Sequence, residues 1–466
     1  MRMERVCIIG AGPSGIAAAK NILDQGFENI TIYDRGSEVG GNWVFDADSG
    51  HSSVFETTHI ISSRQYSEYA DYPMPPNFPD YPGHRHLAAY FQDYARYFGL
   101  YRFIEFRTLV ESCEKTSGGN WRVTTRQGRK RTSRIFDYLV VCNGHHWKPR
   151  YPSYPGRFTG KFIHSHDFKR AKPFAGKRVL VIGAGNSACD VAVETSRVSE
   201  STDISMRRGY WIVPKFLFGV PADHLHNRSE RLLGFVPYRW RIRMLQWLLK
   251  LMNGPNRKYG MQEPDHMLTE THPTLNSELL YFVRHGEITV RPDVERFEGR
   301  TVVFNDGSQR TYDAIVCCTG FEISHPFFTP DLIDYSSGPV PLYLRMFPAE
   351  HDNLAFVGLF QPLGCIWPAA ELQAKILARR MAGLWNPPPD LAAEIQKEVQ
   401  HPDVVQLDTP RHTITVDYPR FRARLLRELP PDYISREPAR RNAGAKAVSP
   451  RNAVRPVRHR ARASGR

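Results

Sequence analysis

The stretch "VLVIGAGNSACD" at residues 179–190 decides the fold, because a short apolar run leads directly into a glycine turn. An equivalent stretch, "VCIIGAGPSG", stands at residues 6–15. In each, the apolar run predicts a buried parallel strand, and the glycines before a helical pattern predict a tight strand-to-helix turn. We therefore predict an α/β fold with two Rossmann-like three-layer domains, each built to hold a dinucleotide.

The small residues of each turn have separate tasks. The first glycine makes the tight turn, the second lets the backbone approach a pyrophosphate, and the third position is small so that the helix can pack. The helix N-terminus then presents free N–H groups to the anion. These positions are Gly10, Gly12 and Gly15 in the first turn, and Gly183, Gly185 and Ala188 in the second. The neighbouring residues expected to contact the same ligands are Pro13, Ser14, Asn186, Ser187 and Asp190.

The residues that end the next strand of each unit distinguish the two ligands. The strand "NITIYD" ends at Asp34, where a carboxylate suits ribose hydroxyls. The strand "TDISMRRG" contains Ser205 and ends with Arg207 and Arg208, and two cations there suit the 2′-phosphate of NADPH. A solvated strand end is the alternative for these arginines. Because a chain with two dinucleotides usually passes hydride between them, we predict FAD in the first site and NADPH in the second.

The composition is that of a multidomain globular protein. With 466 residues, 41% of them hydrophobic, the chain can bury the cores of two or three domains. Its seven cysteines form no CxxC pair and no metal-binding spacing, so we expect reduced thiols, no metal and a cytoplasmic location. The missing CxxC also argues against a thiol–disulfide reductase. No stretch reaches the roughly 18 apolar residues of a membrane span, and no signal peptide is expected.

The C-terminal segment, residues 436–466, differs in composition from the rest. It holds ten Lys or Arg and one Glu, so most of the net charge of +14 resides there. Almost no large apolar side chains accompany this charge, and we predict a disordered basic tail. The tail is either a solubilising segment or one attracted to nucleic acid or anionic membranes. We favour the first and expect no nucleic-acid partner.

The order of the units predicts one domain inserted into the other. Residues 1–157 and 321–435 form the two parts of the FAD domain, and residues 158–320 form the NADPH domain. The stretch "RTYDAIVCCTGF" mirrors "RIFDYLVVCNG", which supports two related domains. Residues near 210–280 are rich in Trp, Tyr and Phe. We predict that they line the route of substrate access, with core or dimer contacts as the alternative.

The segment that links the two units carries a family motif. "FTGKFIHSHDF", residues 158–168, matches F-x-G-x-x-x-H-x-x-x-[F/Y] and stands directly before the second glycine turn. A linker with one core histidine is the alternative. Together with "EVGGNW", "CTGF" and "GLFQPLGCIWPAAELQ", the motif resembles the fingerprint of the flavin-containing monooxygenases and the related Baeyer–Villiger enzymes. The resemblance covers about residues 4–385.

The resemblance implies cofactors, site residues and a reaction. In that family NADPH reduces FAD, O₂ adds to give a peroxyflavin, and one oxygen atom passes to an amine, a sulfide or a ketone. The partners are then O₂ and a small-molecule substrate, with a homodimer left open. The matched segments imply cofactor contacts from Asn42, Trp43, Thr319, Gly320 and Gln361.

One departure from the family pattern concerns the segment expected to face the flavin. Many members carry an Asn shortly before a D-[F/Y]-P turn, whereas this chain has "HIISSRQYSEYADYP". No Asn stands among Ile61, Ser62 and Ser63. Either Ser62 or Ser63 supplies the missing hydrogen bond, or oxygen is lost as peroxide.

Three functions are compatible with these motifs. The first is an NADPH-dependent flavoprotein monooxygenase, which the combined motifs favour. The second is an NADPH oxidase or flavin reductase that releases hydrogen peroxide, which the missing Asn favours. The third is a non-catalytic nucleotide-binding protein, against which the intact glycine turns argue.

Overall fold

The structure is a computed structural model that describes six stretches of the chain. They are residues 2–45, 50–225, 235–271, 273–335, 340–401 and 413–431. The predicted disordered tail, residues 436–466, lies outside the described residues. No helix in the described stretches is long and apolar enough to cross a membrane.

Short strands and longer helices follow one another along the chain. In chain order the strands are β1 (Val6–Ile9), β2 (Ile30–Tyr33), β3 (Ile104–Glu105), β4 (Leu109–Lys115), β5 (Trp121–Gln127), β6 (Lys130–Phe136), β7 (Tyr138–Val141), β8 (Lys148–Pro149), β9 (Gly156–Phe158), β10 (Lys161–His164), β11 (Arg178–Ile182), β12 (Ser201–Ser205), β13 (Ile212–Val213), β14 (Phe216–Leu217), β15 (Val220–Pro221), β16 (Thr274–Leu275), β17 (Ile288–Arg291), β18 (Val294–Gly299), β19 (Thr301–Phe304), β20 (Gln309–Thr311), β21 (Ala314–Cys317), β22 (Phe321–Glu322), β23 (Leu354–Phe356), β24 (Gln361–Pro362) and β25 (Thr415–Val416). The α-helices described over their full length are α1 (Pro13–Leu23), α2 (His84–Tyr97), α3 (Asn186–Ser196), α4 (Tyr238–Asn253), α5 (Leu279–Arg284), α6 (Trp367–Met381), α7 (Leu391–Gln400) and α8 (Tyr418–Arg427). Short 3₁₀ helices span Gly41–Trp43, Arg64–Tyr66, Leu100–Phe103, Lys172–Phe174 and Asn256–Tyr259.

The first domain is built on a parallel sheet in the order β23-β7-β1-β2-β3. Successive side chains of β1 point to opposite faces. Val6 and Ile8 pack in a core shared with α1, α2 and α6. Cys7 and Ile9 pack in a second core, shared with the antiparallel sheet β4-β5-β6. The domain therefore has three layers, with helices, the parallel sheet and the antiparallel sheet in that order.

The second domain repeats this arrangement on the sheet β10-β21-β11-β12-β17, which is also parallel. Val179 and Val181 of β11 face α3, whereas Leu180 and Ile182 face the sheet that contains β18, β19 and β20. Its parallel strands lie between β7 and β23 of the first sheet along the chain. The predicted fold, with one Rossmann-like domain inserted into the other, is confirmed; the residue boundaries of the domains stay predictions.

The chain between β12 and α5 forms a small unit of its own. β13 pairs with β16, and α4 packs Ile242 and Leu249 against Trp211 and Val213. This unit is joined to the second domain near the start of α3, where the Asn186 side-chain oxygen accepts a hydrogen bond from the Leu275 amide at 2.7 Å.

Candidate functional site

The first glycine turn admits no side chain at two of its positions. Gly10 has φ +105°, and a Cβ there would lie 2.6 Å from the carbonyl oxygen of Cys142, at the end of β7. A Cβ at Gly15 would lie 1.8 Å from the carbonyl oxygen of Gly10. Helix α1 then begins with Gly12 as its N-cap, without a capping side chain or an acid in its first turn. Its first N–H groups are thus available to an anion.

The second turn repeats this design against a different strand. Gly183 has φ +130°, and a Cβ there would lie 2.6 Å from the carbonyl oxygen of Cys318, which follows β21. Gly185 is the N-cap of α3, again with no capping side chain and no acid in the first turn. Ala188, the small residue of this turn, is fully buried. Both turns therefore present an uncapped helix start beside the carboxyl end of a parallel sheet.

Asp34 is held against the first turn by two short hydrogen bonds. One carboxylate oxygen accepts from the Ala11 amide at 2.6 Å, and the other accepts from the Gly36 amide at 2.6 Å. Burial raises the pKa of Asp34, and these two hydrogen bonds oppose that rise. The carboxylate lies in the wall of the cavity that the first turn borders.

Two cavities open from the two turns and share a wall. The first-turn cavity, of about 220 Å³, is lined by Gly10, Gly12, Pro13, Ser14 and Asp34 among others. The second-turn cavity, of about 290 Å³, is lined by Gly185, Asn186, Ser187 and Asp190 among others. The shared wall consists of Asn42, Trp43, His145 and His146. Ligands in the two cavities would therefore meet at these four residues.

The shared wall is held in place by neighbouring groups. The Asn42 side-chain oxygen accepts from the Ser53 amide at 2.6 Å. Nε2 of His145 lies 3.2 Å from the Gln361 side-chain oxygen. Burial lowers the pKa of His145 to about 4, so its ring is neutral at pH 7. Its buried Nδ1 has no hydrogen-bond partner in the described part of the chain, which suits a ligand that supplies one.

The sequence interpretation missed a cluster in the first-turn cavity. The Arg35 guanidinium stacks 5.0 Å from the centre of the Trp147 ring, and it lies 2.9 Å from Nδ1 of His51. All three side chains line the cavity beside Asp34. Two features of the sequence could have indicated part of this cluster. Arg35 directly follows Asp34, and Trp147 follows the Asn-Gly turn after β7.

Asp190 connects the second-turn cavity to the inserted unit. Its carboxylate accepts a hydrogen bond from the Asn276 side-chain amide at 2.7 Å. The Asn276 side-chain oxygen in turn accepts from the amides of Glu278 and Leu279, at the start of α5. Burial raises the pKa of Asp190 to about 6.

The structure brings most of the predicted site residues to the cavities, but not all of them. Gly320 and Gln361 also line the second-turn cavity. The predicted residues outside both linings are Gly15, Ser62, Ser63, Gly183, Ser205, Arg207, Arg208 and Thr319. Gly15 and Gly183 instead shape the turns. The Thr319 hydroxyl donates to the Arg150 carbonyl at 2.5 Å. Within the described part of residues 210–280 no residue lines either cavity, and the access route through this region stays a prediction.

Ser62 and Ser63, predicted to face the flavin, lie in the protein interior and outside both cavity linings. Their exposed fractions are 3% and 0%, whereas the neighbouring Ile61 lines the second-turn cavity. The Ser62 hydroxyl lies 2.8 Å from the hydroxyl of Ser67, and the Ser63 hydroxyl lies 3.1 Å from Nε2 of His224. The serines are thus engaged inside the protein, away from the cavity wall.

The three residues predicted to hold a ribose phosphate differ in exposure. Ser205 is 1% exposed and donates a hydrogen bond to the Pro292 carbonyl at 2.7 Å, which leaves it almost no surface for a ligand. Arg207 is exposed just beyond the end of β12. Arg208 is half-buried, with its guanidinium 5.5 Å from the centre of the Tyr210 ring.

The linking motif packs between the domains, and its Ser165 lines the second-turn cavity. A Cβ at Gly160 would lie 2.6 Å from the Phe158 ring and 2.7 Å from the Asp313 carbonyl oxygen, so a larger residue does not fit. His164 is fully buried at the end of β10, and burial lowers its pKa to about 4. Phe168 packs against Phe55, with 5.5 Å between ring centres.

Asp190 yields a stability prediction with a defined pH dependence. The pKa of Asp190 in the folded protein, about 6, exceeds that of an unfolded Asp, so the protonated side chain favours the folded state. This contribution to the free energy of unfolding is complete below about pH 4 and is lost as the pH rises through 6. Asp190→Asn keeps an acceptor for Asn276 and removes the half-buried charge. We expect urea unfolding to show a gain of about 1–2 kcal/mol at pH 7.5 and a smaller gain at pH 5.

The control for this experiment is Asp331→Asn, at an exposed position. It should change the free energy of unfolding little at either pH. An Asp190→Asn protein that is equally destabilised at both pH values would contradict a raised pKa for this carboxyl group.

Comparison with known proteins identifies the family. The family model "FMO-like: Flavin-binding monooxygenase-like" matches residues 3–429. The chain is 34% identical over 440 residues to flavin-containing monooxygenase 5 of Homo sapiens, covering 90% of this chain and 81% of that protein. It is 36% identical over 402 residues to human flavin-containing monooxygenase 2, and the alignment covers 83% of this chain and 74% of that protein.

Solved structures show the same fold at lower identity. S-allyl-L-cysteine S-oxygenase from Allium sativum aligns with a TM-score of 0.67 and 23% identity, over 91% of this chain and 88% of that one. Cyclohexanone monooxygenase from Rhodococcus sp. Phi1, bound to NADP⁺, aligns with a TM-score of 0.69 and 16% identity, over 91% and 96%. The protein is an FAD- and NADPH-dependent monooxygenase, and it belongs to the flavin-containing monooxygenase family.

Proposed function

We propose that the first-turn cavity holds FAD, the second-turn cavity holds NADPH, and oxygen transfer takes place at the wall that they share. The observation that carries this proposal is the common lining of Asn42, Trp43, His145 and His146. When bound, FAD accepts hydride from NADPH and activates O₂ for transfer to the substrate. The chain's own residues bind the two nucleotides, orient them and exclude water.

The first-turn cavity carries polar and charged groups that suit an adenine dinucleotide. The uncapped start of α1 offers N–H groups to the pyrophosphate, and Asp34 offers acceptors to the ribose hydroxyls. Arg35 adds a fixed positive charge beside them. At the other end, Nδ1 of His145 is a buried polar atom that can pair with a ring atom of the flavin.

The second-turn cavity fits a coenzyme and a small apolar substrate. The start of α3 offers N–H groups to a second pyrophosphate, and Arg207 lies exposed after the neighbouring strand. The apolar part of the wall consists of Val54, Phe55, Ile61, Phe321, Ile323 and Ile414. We infer a small, largely apolar amine, sulfide or ketone as substrate, since such a wall favours uncharged surfaces.

A second candidate function is supported by Ile61. Within the segment that the sequence predicts to face the flavin, this side chain lines the second-turn cavity, and it offers no hydrogen-bond donor. We infer that part of the O₂ consumed is released as hydrogen peroxide. The homodimer and the cytoplasmic location stay predictions.

Ile61→Asn tests the coupling between NADPH oxidation and oxygen transfer. A donor at this position would contribute one hydrogen bond, worth about 0.5–1.5 kcal/mol, so we expect peroxide release to slow by about 2–10-fold. The measurement is the rate of hydrogen peroxide release per enzyme in the absence of substrate. Ile323→Asn, in the same cavity, is the matched control and should leave this rate unchanged. Equal effects in both variants would contradict a specific role for position 61.

Gly12→Ala and Gly185→Ala form a reciprocal test of the two nucleotide sites. Their φ values, −74° and −77°, are ones that alanine adopts readily, so both variants should fold. A methyl group at either position would separate the backbone from the pyrophosphate of the bound nucleotide. The affinity for that nucleotide should then fall by about 10–100-fold. We expect Gly12→Ala to lose FAD affinity only, and Gly185→Ala to lose NADP⁺ affinity only, by equilibrium titration. Loss of the same ligand in both variants would overturn the assignment.

Arg207→Ala tests the choice of coenzyme. A charge-assisted hydrogen bond to the 2′-phosphate is worth about 1.5–3 kcal/mol, so the KM for NADPH should rise by about 10–100-fold. The KM for NADH should change little, because NADH lacks this phosphate. Stopped-flow reduction of bound FAD by each coenzyme measures both values, with Arg129→Ala, at an exposed hairpin position, as control. Equal losses for the two coenzymes would show that Arg207 is structural.

A further inference from the structure

The inserted unit contacts the first domain at the segment that carries Ile61. The carboxylate of Asp223, on the inserted unit, accepts a hydrogen bond from the Ser63 amide at 2.6 Å. Nε2 of the adjacent His224 lies 3.1 Å from the Ser63 hydroxyl and 3.2 Å from the Gln65 side-chain oxygen. We call these contacts of Asp223 and His224 with Ser63 and Gln65 the clamp. Ser63 and Asp223 are 160 residues apart in the chain, so the clamp is a product of tertiary packing.

A second contact seats the inserted unit beside the clamp. The Tyr81 hydroxyl donates a hydrogen bond to the Lys215 carbonyl at 2.5 Å. The Tyr81 ring meets the Phe216 ring edge to face, with 5.2 Å between ring centres. Phe216 opens the hairpin of β14 and β15, which ends at Pro221, two residues before Asp223. The backbone that carries Asp223 is therefore fixed on the first domain at two points.

The clamp holds the middle of a short arc of backbone that runs from Ile60 to Arg64. At the two ends of the arc, the amides of these residues donate to carbonyl groups in residues 80–82, at 3.1 and 2.7 Å. Inside the arc, Ser63 is fully buried, and its amide donates to Asp223. A buried N–H group that loses its acceptor is unfavourable, so without Asp223 the arc would have to shift until this amide found another partner.

The arc carries an apolar side chain of the second-turn cavity. Ile61 is half-buried and lines this cavity, as do Asn42, Trp43 and His145 of the shared wall. In the proposed assignment, oxygen transfer takes place at this wall, where water promotes the loss of peroxide. A shifted arc would withdraw Ile61 from the cavity and admit water to the wall.

The inserted unit also contacts the coenzyme side of the same cavity. Its Leu275 amide donates to the Asn186 side chain, and its Asn276 side chain donates to Asp190, each at 2.7 Å. Asn186 and Asp190 both line the second-turn cavity. The unit thus touches the cavity wall from outside at two places, the start of α3 and the arc. None of its described residues lines either cavity.

We propose that Asp223 and His224 are positioning residues for oxygen transfer, which act by holding the arc so that Ile61 stays in the cavity wall. The inference rests on the proposed function, because the consequence of moving Ile61 follows from the assignment of the two cavities. It adds a role for the inserted unit, which would lower the loss of oxygen as peroxide without touching a substrate or a cofactor. A contact that only joined the two domains would have no such effect on the products of the reaction.

The test compares variants of the full-length holoenzyme at the clamp. Asp223→Ala removes the acceptor of the Ser63 amide, whereas Asp223→Asn keeps a side-chain oxygen for it. Asp80→Ala is the matched control, because Asp80 is exposed and contacts the arc through its backbone carbonyl, which the substitution retains. The first measurement is the rate of hydrogen peroxide release per enzyme with NADPH and O₂ and without substrate. The second is the rate of FAD reduction by NADPH in the absence of O₂.

We expect Asp223→Ala to release peroxide about 2–10-fold faster than the wild type, the factor to which one lost hydrogen bond corresponds. His224→Ala should act in the same direction, and it provides the comparison if Asp223→Ala binds less FAD. Asp223→Asn and Asp80→Ala should match the wild type. The rate of FAD reduction should match the wild type in every variant, since the clamp residues line neither cavity.

Two further measurements show whether the clamp acts through the arc. Ile61→Ala alone should speed peroxide release, and Asp223→Ala should add little to it, because both changes expose the same wall. Hydrogen exchange of the peptide 60–66 should be faster in Asp223→Ala than in the wild type and in Asp223→Asn. This exchange requires no turnover, so it separates a failure of the clamp from a failure of the proposed function.

Four results would overturn the proposal. The first is equal exchange of the peptide 60–66 in the wild type and Asp223→Ala, and the second is faster exchange with an unchanged rate of peroxide release. The third is an equal change in the rates of FAD reduction and peroxide release, which would make the clamp a joint between the domains. The fourth is full additivity of Asp223→Ala and Ile61→Ala, which would show that Asp223 acts elsewhere. A wild type that does not oxidise NADPH would contradict the proposed function and, with it, the role of the clamp in oxygen transfer.

Discussion

The close approach of each glycine turn to the end of a neighbouring parallel strand is the constraint on which the rest of the structure depends. The backbone of Gly10 lies against the Cys142 carbonyl, and the backbone of Gly183 lies against the Cys318 carbonyl. Both glycines adopt positive φ values, which a residue with a Cβ rarely adopts. Because the chain turns so sharply at each of these glycines, the helix that follows starts beside the edge of the sheet. The uncapped N–H groups therefore face the cavity.

In the proposed assignment, the shared wall joins two nucleotide sites into one site for chemistry. Asn42, Trp43 and His145 are positioned from the first domain, and the second cavity reaches them from the start of α3. A neutral His145 adds no charge to this wall, and the apolar side chains beyond it limit the access of water. No general acid or base is required of the protein, since the cofactor supplies the reactive groups. The contribution of the protein is to hold the two nucleotides in a fixed position and orientation relative to each other.

Much of this site could be predicted from the sequence because its determinants are local. A strand, a turn and a helix start are contiguous, so Gly12, Gly185 and Asp34 follow from spacing alone. The segment around Ile61 has no such periodicity. Which of three consecutive side chains faces the cavity depends there on distant partners, such as His224 for Ser63. The sequence interpretation chose the serines for their chemistry, and tertiary packing placed the isoleucine at the wall.

The same limit applied to the inserted unit. Its aromatic composition favours an access route, which stays a prediction because composition does not show where the side chains point. The described part of residues 210–280 contributes no residue to either cavity lining. Arg35 and Trp147 meet across more than a hundred residues of chain, so their stacking could not be predicted from either neighbourhood. Local rules thus identify the nucleotide turns, and the long-range packing decides what completes the site.

A crystal structure of the protein with FAD and NADP⁺ bound would test the central claim most directly. The account predicts one pyrophosphate at the start of α1, the other at the start of α3, and the flavin and nicotinamide rings in van der Waals contact beside Asn42, Trp43 and His145. Both nucleotides in a single cavity, or two rings separated by protein side chains, would contradict it.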